Sequence, residues 1–180
     1  MKRQHKEIAM EKYGLVAENP ESTIVAKYDS EKAKENKYQS EADLENAFIK
    51  QLQAQAYEYL PIHTEQDLIN NLRKQLEKLN DYQFEDDEWE TFFKKDIANA
   101  TDTIVDKTYT IQEDYVKLLH LKDGTTKNIY LLDKKNIHNN TLQVINQYVA
   151  DGGTQDNRYD VSILVNGLPL VHIELKRRGV

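Results

Sequence analysis

Residues 157–176 decide the fold of this chain, and they read NRYDVSILVNGLPLVHIELK. Because β-branched residues alternate on both sides of Asn166-Gly167, a dipeptide typical of tight turns, the stretch predicts a β-hairpin. Alternation divides its side chains between two faces of a sheet. The apolar face carries Val161, Ile163, Val165, Val171, Ile173 and Leu175. The opposite face carries Asp160, Ser162, Leu164, Leu170, His172, Glu174 and Lys176, so two acids and a lysine share one side.

This face assignment constrains the length of the hairpin loop, because directly opposed residues lie on the same face. A two-residue loop at Asn166-Gly167 would place Asp160 opposite the apolar Ile173. A three-residue loop instead places Asp160 opposite Glu174, Ser162 opposite His172 and Ile163 opposite Val171. We therefore predict an odd-length loop, built as a type I turn with Gly167 left-handed in a G1-type bulge.

Composition bounds the class of protein. A chain of 180 residues is long enough for one domain with its own core. Its net charge of -7 argues against a generally basic surface that coats nucleic acid. The absence of cysteine excludes disulfides and thiolate zinc sites. Nothing resembles a signal peptide, and no apolar run approaches the roughly 18 residues of a membrane span. We expect a soluble, cytoplasmic protein without a membrane partner.

The first hundred residues predict a polar extension followed by helices. Residues 1–39 are lysine-rich, with one possible short strand at residues 23–26. A helix begins after Ser40, where Ser40-Glu41-Ala42-Asp43 has capping-box spacing. Two more helices are predicted at about 64–79 and 86–98, and we interpret residues 64–100 as a helical insertion.

Strand patterns dominate the rest of the chain. Residues 114–121 and 126–132 flank Asp123-Gly124 and predict a second hairpin. A further strand is predicted at 142–149, before the closing hairpin. Together these elements indicate an α/β (α+β) domain at 40–180, with a mixed sheet flanked by helices.

Glu45 is an acid on the inward edge of the first helix, four residues before Ile49. In one interpretation it compensates the helix dipole in the first turn. In the other, the helix packs over the polar side of the sheet and Glu45 joins the acids there.

The polar face of the hairpin has the chemistry of a metal-dependent nuclease site. Asp160, Glu174 and the Leu175 carbonyl offer oxygen ligands, which favour Mg²⁺ or Mn²⁺ over zinc. Lys176 returns to the same face and could orient or deprotonate an attacking water. The alternative is a solvated surface ladder of charges. Cover by the first helix would argue against the ladder, because burying two acids together is costly without a cation.

Three segments carry a resemblance to a known family: residues 157–179, Tyr38-Gln39-Ser40-Glu41-Ala42-Asp43-Leu44-Glu45, and Asn128-Ile129-Tyr130-Leu131-Leu132-Asp133-Lys134-Lys135-Asn136. They resemble the amino-terminal nuclease domain of the restriction (motor) subunit of type I restriction-modification enzymes. The similarity spans most of residues 38–180. It implies a PD-(D/E)xK restriction-endonuclease-like core in which Asp160 is the motif acid and Glu174 and Lys176 form the Glu-x-Lys. Glu45 is then a possible additional acid on a helix.

The resemblance also implies a larger assembly. Family members carry helicase-like domains that hydrolyse ATP to translocate DNA, and they work with methylation and specificity subunits. This chain has no Gly-x-x-x-x-Gly-Lys-Ser/Thr phosphate loop, so ATP is expected only in a full-length subunit. We expect the domain to be truncated at its C-terminal end, before a helix with Gln-x-x-x-Tyr. Apolar surface exposed beside the last strand would favour self-association.

Two functions follow as expectations. The first is Mg²⁺-dependent endonucleolytic cleavage of double-stranded DNA, with Asp160, Glu174 and Lys176 as catalytic residues. The second is a catalytically silent docking module for other subunits or domains of the complex. His172 shares the polar face, but we expect it to be a packing residue and not a catalytic one.

Overall fold

The computed structural model describes residues 13–18, 24–28, 40–150 and 157–176, with side chains over 40–148 and 159–176. Near the N-terminus, strands β1 (Tyr13–Glu18) and β2 (Ile24–Tyr28) form an antiparallel hairpin. Residues 44–176 form a separate compact unit, which contains the elements discussed below.

Helices α1 (Glu41–Ala54) and α2 (Glu65–Asn80) begin where the sequence predicts. The Asp43 amide donates to Ser40 Oγ at 3.0 Å, and the Ser40 amide donates to Asp43 Oδ2 at 3.2 Å. These reciprocal bonds satisfy amide groups that a helix start leaves free. Thr64 caps α2 through the Asp67 amide at 3.1 Å. The predicted third helix is α3 (Asp86–Phe92), continued by a π-helical turn at Phe93–Ile97.

The central sheet has four strands in the order β3-β6-β7-β8. These are β3 (Glu58–Tyr59), β6 (Leu142–Ala150), β7 (Asn157–Val165) and β8 (Leu168–Ile173). β3 pairs with β6 in parallel, whereas the β6–β7 and β7–β8 pairs are antiparallel. The predicted mixed sheet is thus confirmed, with the closing hairpin as β7 and β8.

Helices cover both faces of this sheet. Ile49 and Leu52 of α1 pack with Val144 and Val161 on one face. Leu68 of α2 packs against Ile62, Ile145, Tyr148 and Leu164 on the other. The prediction that α1 lies over the polar side of the hairpin is therefore wrong. Its apolar stripe covers the apolar face, where burial removes the most hydrocarbon surface from water.

A second core lies around the more C-terminal part of α2. Strands β4 (Val116–His120) and β5 (Thr126–Tyr130) form the predicted second hairpin. The buried residues of this second core come from α2, α3 and the β4–β5 hairpin, from positions next to α3 and β5, and from the first residue of β8. They are Leu72, Leu76, Phe84, Trp89, Phe92, Leu119, Ile129, Leu131 and Leu168. The predicted insertion thus shares one core with the hairpin that follows it.

Helix α4 (Ile104–Gln112) was absent from the sequence-based prediction. The sequence feature that marks this helix is the capping box of Thr103 and Asp106 at its start, where the Thr103 amide donates to Asp106 Oδ2 at 2.9 Å. None of its nine residues is buried, and Ile104, Val105 and Tyr109 are exposed. Ile111 packs against the core around α2 while these three side chains face water, so the helix lacks the continuous inward apolar stripe from which the other helices are predicted.

Within the described residues, no helix is long and apolar enough to cross a membrane.

Candidate active site

The β7–β8 turn differs from the predicted odd-length loop. Val165 pairs with Leu168, so Asn166 and Gly167 form a two-residue turn. Both have positive φ, 51° and 81°, as a type I′ turn requires. The predicted three-residue loop with a G1-type bulge is therefore wrong.

A bulge further along β8 nevertheless restores the register that the polar face needs. Leu164 pairs with Pro169, but Ile163 pairs with Val171, so Leu170 is an extra residue on β8. The predicted pairs Ser162↔His172 and Ile163↔Val171 are therefore confirmed. Pro169 has no N–H to donate, which suits a position beside a bulge on an edge strand.

Asp160 of β7 lies next to the point where the pairing between β7 and β8 ends. The last recorded pair is Val161↔Ile173, and the strand ends at Ile173, so Glu174 and Lys176 follow the strand and are not part of it. The Leu175 amide donates to Asp160 Oδ2 at 2.7 Å. This bond holds the carboxylate of β7 against the segment that carries the Glu-x-Lys. Within the described residues, the other carboxylate oxygen, Oδ1, accepts no hydrogen bond from the protein, and Asp160 is half-buried.

Glu174 and Lys176 are neighbours on the surface. Lys176 Nζ lies 3.8 Å from Glu174 Oε2, and the side chains of Lys176 and Glu174 are 84% and 65% exposed. The expected cover by α1 is wrong for this pair, and the burial argument against a solvated charge ladder is lost with it. Exposure leaves both groups accessible to a nucleic-acid strand and to hydrated cations.

Glu45 is buried on the opposite side of the sheet from the position we expected. Only 8% of the residue is exposed, on the α1 side. It accepts hydrogen bonds from Asn146 Nδ2 at 2.6 Å and from Gln147 Nε2. Gln147 lies between the pairs Asn146↔Val161 and Tyr148↔Tyr159, so it is across from Asp160 in the ladder. Glu45 is therefore hydrogen-bonded, by the Gln147 side chain, to the end of the sheet that carries Asp160.

The alternation of faces breaks at this point of the ladder. Gln147 has a left-handed φ of 54°, rare for a residue other than glycine. On β6, Ile145 and Tyr148 are three residues apart, yet both contact one core cluster. On β7, Ser162 and Tyr159 are also three apart, yet both contact His172. A regular strand would place each pair on opposite faces. Asp160 and Gln147 thus occupy a local change of strand phase.

His172 has two defined partners. Its ring stacks on Tyr159 with centroids 4.0 Å apart and planes 16° apart. Its Nδ1 atom lies 2.8 Å from Ser162 Oγ. Burial lowers the pKa of His172 below the usual value. The expectation that this histidine makes satisfied contacts is consistent with these partners. The phase change and the Tyr159 stack were not predicted, because neither leaves a pattern in the sequence.

Asp160 and Glu174 are suitable ligands for a hard cation that takes only a few of its ligands from the protein. Asp160 and Glu174 both supply carboxylate oxygens close to the Leu175 backbone. Among the side chains that the structure describes, no group of three or more His, Asp or Glu could hold a metal ion. Mg²⁺ needs only one or two protein carboxylates, because it keeps waters and takes substrate phosphates as further ligands. The donor set therefore fits Mg²⁺ or Mn²⁺ and does not fit a structural zinc site.

The mixed sheet flanked by helices, with an acid on one strand facing a Glu-x-Lys segment, defines a nuclease-like α+β domain. Residues 38–180 match the family model for the N terminus of type I restriction enzyme R proteins. The chain belongs to this family.

Curated relatives carry corresponding names. The chain is 46% identical over 166 residues to the Type I restriction enzyme EcoprrI endonuclease subunit of Escherichia coli, covering 92% of this chain and 53% of that protein. It is 37% identical over 154 residues to the SsaAORF53P endonuclease subunit of Staphylococcus saprophyticus, and 36% identical to the SauCOLORF180P endonuclease subunit of Staphylococcus aureus. For these two, the match covers 79% of this chain and 15% of the relative. The chain thus spans about half the length of one relative and a much smaller share of the others.

Proposed function

We propose that residues 40–180 form a divalent-metal-dependent endonuclease domain of a type I restriction enzyme R subunit, which cuts double-stranded DNA. One observation carries the proposal: the Leu175 amide donates to Asp160 at 2.7 Å, where β8 separates from β7. The bond joins the strand acid to a Glu-x-Lys segment whose side chains are open to solvent. A phosphodiester could approach Glu174 and Lys176 from outside the protein, beside the half-buried Asp160.

Each group has a distinct part in this proposal. Asp160 Oδ1, Glu174 and the Leu175 carbonyl would hold Mg²⁺ or Mn²⁺. Such an ion, when bound, supplies charge neutralisation at the phosphate and lowers the pKa of a coordinated water. Lys176, whose Nζ is 3.8 Å from Glu174, orients the attacking water and stabilises negative charge on the phosphate. Glu45, bonded to Gln147 across from Asp160, is a possible additional acid.

The chain's net charge of -7 limits how it can bind DNA. An acidic surface repels the phosphate backbone, so tight sequence-independent binding by this domain alone is not expected. We propose that translocation by ATP-hydrolysing domains of a longer subunit delivers DNA to the site. The methylation and specificity subunits would recognise the target sequence, and the whole complex would act in the cytoplasm.

A catalytically silent docking module is the second candidate, and the surface of α4 favours it. Ile104, Val105 and Tyr109 are 80%, 71% and 60% exposed on a helix with no buried residue. Exposed apolar side chains at such density are typical of a contact surface. Binding of Mn²⁺ separates the two functions: a site that is lost in Asp160→Asn supports the nuclease, and no site in the wild type supports docking alone.

Cleavage by the complete R subunit with its partner subunits tests the nuclease directly. Asp160→Asn, Glu174→Gln and Lys176→Ala should each abolish cleavage and leave ATP hydrolysis near the wild-type rate. Glu65→Gln and Lys74→Ala remove an exposed acid and an exposed lysine elsewhere and should change neither activity. Equal loss of cleavage and ATP hydrolysis in the three site variants would indicate a structural role.

A further inference from the structure

Ser162 and His172 form a hydrogen-bonded pair whose direction can be deduced from burial. Ser162 is fully buried, with 0% exposure, and its Oγ lies 2.8 Å from His172 Nδ1. A buried hydroxyl hydrogen needs an acceptor. Among the described residues, His172 is the recorded hydrogen-bond partner of this hydroxyl. Ser162 Oγ–H therefore donates to Nδ1, and the imidazole carries its proton on Nε2.

The ring of His172 is fixed in a second way. Tyr159 stacks on it at 4.0 Å with an interplanar angle of 16°. The hydrogen bond sets one edge of the ring and the stack sets its plane, so the Nε2–H edge has a defined direction. Because Nδ1 faces the buried Ser162, Nε2 on the far side of the ring faces away from it.

His172 stands beside the proposed cleavage site. It precedes Glu174 by two residues, so the reach of the chain places their Cα atoms at most about 7 Å apart. β8 is an edge strand of the described sheet, and His172 is an exposed residue. A nucleic-acid strand that reaches Glu174 and Lys176 would therefore pass the Nε2–H group.

We propose that His172 is a substrate-positioning residue whose Nε2–H donates to a DNA phosphate next to the scissile phosphodiester. This inference rests on the proposed nuclease function. The structural reason is the combined fixing of the ring by Ser162 and Tyr159, which orders a donor before substrate arrives. Ordering a contact in advance reduces the entropy lost when DNA binds.

Two substitutions at His172 separate its two nitrogen atoms. Asn has a polar atom near the Nδ1 position and can still accept from Ser162, but it lacks the outward donor. Gln places an amide N–H near the Nε2 position and loses the bond to Ser162. We expect single-turnover cleavage by the complete assembled enzyme to slow about tenfold in His172→Asn, which keeps the Ser162 bond and should melt at a higher temperature than His172→Gln. His172→Gln keeps an outward donor but loses the contacts that order it, so it should cleave at a rate between those of the wild type and His172→Asn.

The reverse pattern, an active His172→Asn with an inactive His172→Gln, would show that the histidine acts only through Ser162 and would overturn the inference. Unchanged cleavage in both variants would overturn it as well. Asp160→Asn in the same assay keeps the two proposals apart. If that variant cleaves normally, the nuclease assignment fails. If it is inactive while His172→Asn is fully active, only the role of His172 fails.

Discussion

Gly167→Ala tests how the β7–β8 hairpin is anchored to the rest of the domain. Gly167 has φ of 81°, and a Cβ atom there would lie 2.6 Å from the Cα and 3.0 Å from the backbone N of Leu72 in α2. The left-handed conformation costs an L-residue about 1–2 kcal/mol. Overpacking against a helix backbone adds about 1–3 kcal/mol, since the backbone atoms cannot rotate away. We expect a total loss of about 2–5 kcal/mol in the free energy of unfolding.

Gly124→Ala is the matched control. Gly124 lies in the β4–β5 turn with φ of 84°, and a Cβ atom there would meet nothing within 4 Å. This variant therefore carries the conformational cost alone, about 1–2 kcal/mol. The contact with Leu72 is the difference between the two variants.

Urea unfolding of the 180-residue chain measures that difference. With an m-value of about 2 kcal/mol/M, an extra loss of about 2 kcal/mol lowers the midpoint of Gly167→Ala by about 1 M relative to Gly124→Ala. Equal midpoints for the two variants would refute the reasoning. They would show that the turn can move away from α2 at little cost, so that the hairpin carrying Asp160 and Glu174 is not held by this contact.

Other predictions concern side chains away from the acids. Asn166 is 1% exposed and makes hydrogen bonds of 2.8–3.0 Å to three groups, so Asn166→Ala should lower the free energy of unfolding by about 3 kcal/mol. In the same urea titration, Asn166→Gly should not restore stability, because it relieves the left-handed φ but not the lost bonds. Backbone and side-chain amides lower the pKa of Asp133, so its stabilising effect is present above pH 3.8 and is lost as pH falls through the lowered value. Asp133→Asn should therefore show a shallower loss of urea midpoint than wild type below pH 3.8. Burial raises the pKa of Asp96, which reverses the sign: its contribution is full below pH 3.8 and falls as pH rises through the raised value. Asp96→Asn should then raise the thermal midpoint at neutral pH and leave it nearly unchanged at pH 3, and a lower midpoint at pH 7 would contradict this.

Local signals in the sequence predicted local structure well. The caps at Ser40 and Thr64 depend on side chains that bond amides three residues away, so their spacing is visible in the sequence. The turn at Asn166-Gly167 likewise forms where the dipeptide occurs, because both residues tolerate positive φ. Such features need no knowledge of distant contacts.

The hairpin register shows where the prediction went wrong. The polar face required Ser162 opposite His172, and the turn dipeptide favoured a two-residue loop. In a regular hairpin these two requirements are incompatible, and the polar face then favours a longer loop. The protein satisfies both by an extra residue, Leu170, beside Pro169. Proline inside a predicted strand was the available signal, since it marks a bulge or an edge.

The position of α1 differs from the prediction because burial of its apolar side chains stabilises the fold more than grouping Glu45 with the other acids would. The predicted arrangement places Glu45 beside Asp160 and Glu174. In that arrangement the apolar face of the β7–β8 hairpin would be exposed to water. Ile49 and Leu52 instead bury that face. Each large aliphatic side chain buried contributes about 1.5–3 kcal/mol, whereas grouped carboxylates without a cation contribute nothing favourable. The apolar residues therefore decide where the helix packs.

The change of strand phase lies at the end of the sheet where Asp160 is placed and where Glu45 is bonded. In a regular ladder, Glu45 on the α1 side would be separated by the sheet from the face that carries Glu174. The left-handed Gln147 interrupts the ladder directly across from Asp160, and its side chain bonds Glu45. On the other edge of β7, Asp160 bonds the Leu175 amide. The irregular position thus lies between the hydrogen bond from Gln147 to Glu45 and the hydrogen bond from Leu175 to Asp160. Holding a residue other than glycine in this conformation costs of order 1–3 kcal/mol, so the surrounding contacts must enforce it.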